Sequence, residues 1–235
     1  MTAKISDNTS CQAGRIFHEW AQLPIPREEF YARTVVLQRK YFPRTQPLPG
    51  VQTLLRTLAH STHPEMHTAL ATSSHKGNFE IKTAHLQELF ADFKEENIIL
   101  GDDARIPPGR GKPAPDIYLL ALKMINKGIR YAGREKEVEP AECLVLEDSV
   151  PGVEAGRRAG MQVVWCPHPE LLREYHGREK EVLAGLTGEH KEELHRKGET
   201  VGQRTAGGPG EIDDGWAILL NTLDNFPYHR FGIEI

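Results

Sequence analysis

The stretch CLVLEDSVPGVEAGRRAGMQVVW (143–165) constrains this chain more than any other. Apolar CLVL reads as a buried strand, and the acids Glu147 and Asp148 follow it directly. Pro151-Gly152 then opens a helix running to Ala159, and MQVVW reads as a second strand. Short apolar strands joined through a helix make an α/β layer with parallel pairing.

Upstream, the same alternation continues. Val51 to Leu58 reads as helix, TALAT (68–72) as strand, Phe79 to Phe90 as helix and NIIL (97–100) as strand. Asp116 is placed to cap a helix reaching about Asn126. Before this layer, residues 8–22 and 26–41 form a helical hairpin, with Ile16, Phe17 and Trp20 on one face of its first helix. Pro47-Leu48-Pro49-Gly50 punctuates the boundary, which divides residues 1–46 from an α/β unit at 47–235. Residues 170–211 are rich in Glu, Lys, Arg and Gly, and read as a solvated polar insertion, part helix and part flexible loop. AILLNTL (217–223) is an apolar segment returning to the core.

Composition narrows the function. A net charge of −4 offers no basic excess for binding nucleic acid. No apolar run approaches the roughly 20 residues of a membrane span, and the polar N-terminus lacks the apolar region of a secretory signal. Three cysteines (11, 143 and 166) without a CxxC pair fit a reduced, cytoplasmic protein. His60, His63 and His67 surround Pro64, and His190 and His195 are spaced unlike a zinc-protease helix, so both groups read as solvated.

Chemistry-bearing groups in parallel sheets collect at the carboxyl ends of strands. Thr72-Ser73-Ser74, the loop Gly111-Lys112-Pro113 and the pair Glu147-Asp148 occupy such places. A hydroxyl, an ammonium and paired carboxylates suit a phosphoryl group beside Mg2+, with hard oxygen ligands for the cation and donors for the phosphate. A P-loop is excluded: Pro113 follows Lys112 where Ser or Thr is needed, and Ile106 stands in place of the first glycine.

The strings ALATSS (69–74), GKPAPDIY (111–118) and CLVLEDSVPGVEAGRRAGMQVV (143–164) resemble, in order and spacing, the second, third and fourth motifs of the haloacid dehalogenase superfamily. Residues 14–58 resemble part of the helical cap in the subgroup of β-phosphoglucomutase and pseudouridine-5′-phosphatase, and LGDD (100–103) is closer to the latter. The resemblance implies a three-layer Rossmann-like core with a parallel sheet and a partial helical cap. It also implies roles. Thr72, helped by the Ser73 backbone N–H, would bind a phosphoryl oxygen, and Lys112 would offset charge. Asp148 would ligate Mg2+, and Glu147 would support the ion directly or through water. The implied partner is a small phosphorylated metabolite, a sugar or nucleotide-like monophosphate, hydrolysed through an aspartyl-phosphate.

The family's first motif, an apolar strand ending in DxDGT, has no counterpart here. Asp7, Asp102-Asp103 and Asp213-Asp214 offer no substitute: the first lies in a polar run, the second pair matches LGDD, and the third has no strand to aim it. That strand would sit centrally, between those ending at Thr72 and Leu146. Its lack leaves three expectations: direct pairing of the two strands, another filler, or a truncated product of a longer gene. Little or no turnover is expected of this chain, with phosphate-ligand binding or poor folding as the other outcomes.

Overall fold

The computed structural model describes residues 9–62, 66–133, 136–187 and 209–235. Two helices come first, α1 (Thr9–Trp20) and α2 (Arg27–Tyr41). They meet through aromatic rings, Phe17 and Phe30 stacking at 5.9 Å. The hairpin continues into a short turn over Phe42–Arg44 that leans on α4 (Lys76–Thr83), where the Lys82 ammonium lies 4.5 Å from the Phe42 ring. None of the α2 side chains is buried.

Helix α3 (Val51–His60) carries Val51, Leu54 and Leu58 on one stripe and buries Leu54 almost completely. Its entry explains the glycine of PLPG. Gly50 has φ +86°, and a Cβ there would lie 2.1 Å from the Leu223 carbonyl carbon. The neighbouring Pro49 carbonyl accepts the Leu223 N–H at 3.1 Å, so the start of α3 is pinned to the C-terminal segment.

Strand β1 (Leu70–Ala71) pairs in parallel with β2 (Ile98–Ile99). A second sheet has the order β3 (Leu144–Glu147), β4 (Gln162–Trp165), β5 (Ala217–Leu219), again parallel throughout. Alternation along β4 divides the core into two faces. Val163 and Trp165 join Ile99, Val145 and the buried face of α6 (Asp116–Ala132). Val164 and Cys166 join Leu54, Leu223, Phe226 and Ile233 on the opposite side. Helix α7 (Val150–Arg158) presses so close to the sheet that a Cβ on Gly156 would meet Val163 Cγ2 at 2.8 Å. The result is an α/β fold with helices on both faces of parallel sheets, consistent with a Rossmann-like core.

Four expectations change. The segment 79–90 is not one helix: α4 ends at Thr83 and a separate turn, α5 (Gln87–Phe90), follows after Leu86. Pro115, rather than Asp116, occupies the cap position of α6, and Asp116 lies in the first turn. The start of the 170–211 region is helical, as expected of part of it, but is not solvated. It forms α8 (Pro169–Glu174) and α9 (Glu179–Leu183), with Val182 and Ala184 buried and Leu171, Leu172, Tyr175 and Leu183 packed against the core, apolar positions too scattered among charges to register as a pattern. Residues 188–208 lie outside the described residues, as do His63, His190 and His195. The segment 217–223 supplies a sheet strand, β5.

Direct pairing of the strands that end at Thr72 and Glu147 does not occur. β1 and β3 belong to different sheets, and each has one paired neighbour among the described residues. Leu146 on β3 is correspondingly 36% exposed.

Candidate functional site

Within each sheet the parallel strands end on the same side, and Lys112 touches the ends of both β1 and β3. At the end of β1, the Thr72 N–H continues the ladder to the Ile99 carbonyl at 3.0 Å, and Thr72 Oγ1 accepts the Ser74 N–H at 3.1 Å. As an acceptor in this turn, the hydroxyl keeps its own proton for donation. Ser73 is exposed at the loop crest. Asp102 accepts the Lys76 N–H through both carboxylate oxygens, at 3.0 and 3.2 Å, and so closes the start of α4. Asp103 is held by Arg105. These acids are structural.

Lys112 reaches this end of the sheets from the loop before α6. Its ammonium donates to the Ala71 carbonyl at 3.2 Å and to Glu147 Oε1, and lies 4.9 Å from the Tyr118 ring centroid. It thus bridges the gap between β1 and β3. The loop is fixed behind it, where Arg110 grips Asp116 with Nε at 3.1 Å from each oxygen.

Glu147 ends β3 with its carboxylate buried and surrounded by donors. Oε1 accepts from Lys112 and, at 2.6 Å, from the Tyr118 hydroxyl. Oε2 accepts the N–H groups of Asp148 (3.1 Å) and Ser149 (3.0 Å) and the Ser149 hydroxyl (2.9 Å). Gly152 makes room: a Cβ there would lie 2.0 Å from Glu147 Cδ. Burial pushes this carboxyl up, but the Lys112 charge and the hydrogen bonds of Lys112, Tyr118 and Ser149 together hold it below its ordinary value. The same surroundings raise the Tyr118 hydroxyl well above its usual value, through burial first and the Glu147 charge second.

Asp148 follows on the rim and is exposed as a residue. Its carboxyl is nevertheless raised, by partial desolvation against the strand ends and then by the Glu147 charge, with Lys112 opposing. Trp165 donates Nε1–H to the Asp148 carbonyl at 3.2 Å and fixes the backbone there. A carboxylate in this position gains from a nearby cation.

Lys112, Glu147 and Asp148 are therefore gathered at one site, and the Lys112 bond to Ala71 brings in the turn that begins at Thr72. The donor chemistry fits Mg2+ as a partial shell: Asp148 offers a carboxylate on the open side, while both Glu147 oxygens are engaged. Mg2+ commonly takes one or two carboxylates and completes its octahedron with water and phosphate oxygens. Among the described residues, no group of three or more His, Cys, Asp or Glu side chains is arranged to hold a metal by itself.

A family model for haloacid dehalogenase-like hydrolases matches residues 13–160. The chain belongs to this family. Three relatives agree with the assignment. It is 42% identical over 159 residues to the "Probable pseudouridine-5′-phosphatase" of Saccharomyces cerevisiae, covering 68% of this chain and 63% of the relative. Identity to the Drosophila melanogaster protein of the same description is 38% over 177 residues, 73% of this chain and 68% of the relative. It is 30% over 188 residues to (DL)-glycerol-3-phosphatase 1 of Arabidopsis thaliana, with 79% and 58% coverage. The chain thus spans less than two thirds of the yeast and plant relatives.

Ser149, Tyr118, Trp165 and Gly152 build this haloacid dehalogenase-like site and escaped the sequence reading. Tyr118 lies on the apolar face of α6 and reads as core. Trp165 reads as the end of a buried strand, and its indole N–H is the one hint of a polar task. Gly152 reads only as a helix opener.

Proposed function

We propose that this chain carries the phosphate-cradling half of a Mg2+-dependent phosphatase for small phosphorylated metabolites, a sugar or nucleotide-like monophosphate. We further propose that it turns over little or no substrate itself. The observation that supports this most is the buried Lys112 ammonium, held between Glu147 and the Ala71 carbonyl beside Asp148 and the Thr72 turn. Relatives whose names specify pseudouridine-5′-phosphate and glycerol-3-phosphate hydrolysis point to the same substrate class.

In this reading Thr72 donates its hydroxyl proton to a phosphoryl oxygen, and the Ser73 N–H donates to another. Lys112 faces the phosphoryl charge with a donor not used by Ala71 or Glu147. Asp148 is the carboxylate that binds the cation. Glu147 acts behind both, fixing Lys112 and the backbone of Asp148. When bound, Mg2+ would supply charge neutralisation for the phosphoryl oxygens. Residues 1–46 serve as the partial cap, and the protein works in the cytoplasm.

Among the described residues, the aspartates outside the strand-end site are engaged elsewhere, which supports the lack of a substitute nucleophile. Asp102 and Asp103 are committed to Lys76 and Arg105, and Asp214 is held by Arg157 at the amino end of β5, away from the site. A second reading, a non-catalytic phosphate-ligand-binding or regulatory protein, is favoured by the same fact. Incubation with p-nitrophenyl phosphate and Mg2+ tests the proposal: no release above background is expected. Mg2+-dependent release that disappears in Asp148→Ala would show that a substitute nucleophile exists.

A further inference from the structure

Glu147 Oε1 receives two donors of different kinds, the Lys112 ammonium and the Tyr118 hydroxyl. Both come from one short piece of chain, the loop before α6 and its first turn, so the placement of one dictates that of the other. Tyr118 is 8% exposed and packed within the apolar cluster of α6, β2 and β3, which makes it the rigid member of the pair. The ammonium lies against its ring face.

A lysine ammonium has three protons, and a carboxylate oxygen has two good acceptor directions. One Lys112 proton goes to Ala71 O and one to Glu147 Oε1, which leaves the third. The Tyr118 hydroxyl fills the second acceptor direction of Oε1, while Oε2 is taken by Asp148 and Ser149. Oε1 is thus shared between Lys112 and Tyr118, and among the hydrogen bonds of the described residues the third Lys112 proton has no acceptor.

We propose that Tyr118 is a positioning residue that keeps Lys112 from closing fully onto Glu147 and leaves one ammonium proton facing the open strand ends. The inference rests on the phosphate-site reading above. Tyr118 does not touch the phosphoryl group; it acts through Glu147 and Lys112. Removal of its hydroxyl leaves Lys112 the sole donor to Oε1, the ion pair tightens, and the ammonium is drawn away from phosphate. The Asp148 N–H stays on Oε2, which Tyr118 does not touch, so the Asp148 carboxylate keeps its place on the rim.

The test is Tyr118→Phe, which keeps the ring and removes the hydroxyl, in the full chain. Inorganic phosphate and Mg2+ are titrated separately by calorimetry, and the Lys112 Nζ resonance is followed by 15N NMR without ligand. The inference predicts phosphate binding weakened about tenfold, Mg2+ binding within about twofold of wild type, and a shifted Lys112 signal. In a Lys112→Met background, Tyr118→Phe should cause no further loss of phosphate binding. Phosphate affinity within twofold of wild type overturns the inference, as does a parallel loss of phosphate and Mg2+ binding, the mark of a purely structural tyrosine. If the wild-type chain binds no phosphate, the phosphate-site reading fails. The Lys112 resonance then decides the positioning role alone, a shift in Tyr118→Phe supporting it and an unchanged signal overturning it.

Discussion

Glu147 accepts hydrogen bonds from five donors, all within this chain, whereas the 15 residues of α2 bury none of their side chains. The contrast extends outward from each. Around Glu147 lie Tyr118, Val145, Val150 and Val153, all buried. On the hairpin, Trp20 is 78%, Val36 65% and Leu37 53% exposed. Helices of this length owe most of their stability to tertiary packing of an apolar face. The strand-end site is thus built by contacts the chain supplies in full, and the hairpin contributes little to the stability of the core. A chain can keep a well-packed strand-end cluster beside a helical hairpin whose side chains are largely exposed.

Substitutions at the two places should differ in size accordingly. Glu147→Ala leaves Lys112, Tyr118 and two backbone N–H groups without their shared acceptor. A loss of about 3–5 kcal/mol in chemical denaturation is expected. A loss under about 1 kcal/mol would mean that the carboxylate is not the hub described. Leu54→Ala, in the apolar cluster behind β4, should cost about 3 kcal/mol by the same measurement.

The fully buried Arg157 offers a comparison with pH. Its NH1 donates to Asp214 Oδ1 at 2.8 Å and a second nitrogen donates to Oδ2, tying the segment before β5 to α7. The Arg157 hydrogen bonds, against partial burial, hold the Asp214 carboxyl below its usual range. Its stabilisation is therefore complete above the unfolded carboxylate value, about 3.9, and is lost as pH falls through the lower folded value. Asp214→Asn should lose about 2 kcal/mol at pH 7, and the gap to wild type should narrow below about pH 4. A gap that is constant from pH 7 to pH 3 would exclude the ion pair as its source. The smallest effect belongs to the hairpin: Val36→Ser should change thermal stability by less than about 0.5 kcal/mol. A larger loss would erase the contrast between the regions.

How much of this was legible in the sequence depended on the kind of signal. Thr72, Lys112, Glu147 and Asp148 stand out because each follows an apolar strand or lies in a Gly/Pro loop, where polar groups need a reason to be. Tyr118 does not, because its ring satisfies the helical pattern and its hydroxyl leaves no trace in spacing. The Arg157–Asp214 pair joins residues far apart in sequence, so neither end announces the other. Strand β5 was visible as apolar but not as a strand, since AILLNTL lacks period-two alternation. Helix α9 buries so few residues that its polar composition concealed its contact with the core. The lack of a first-motif strand left direct pairing, another filler or a longer gene as expectations; among the described residues the structure removes the first, because β1 and β3 lie in separate sheets bridged by Lys112.

Binding of inorganic phosphate to the full chain, titrated by calorimetry with and without Mg2+ and repeated in Asp148→Ala, tests the half-site most directly. Wild-type chain should bind phosphate, more tightly with Mg2+ present. Asp148→Ala should lose the Mg2+ enhancement while retaining the weaker binding through Lys112 and Thr72. Absence of phosphate binding under both conditions, or a Mg2+ enhancement that survives in Asp148→Ala, would contradict the account.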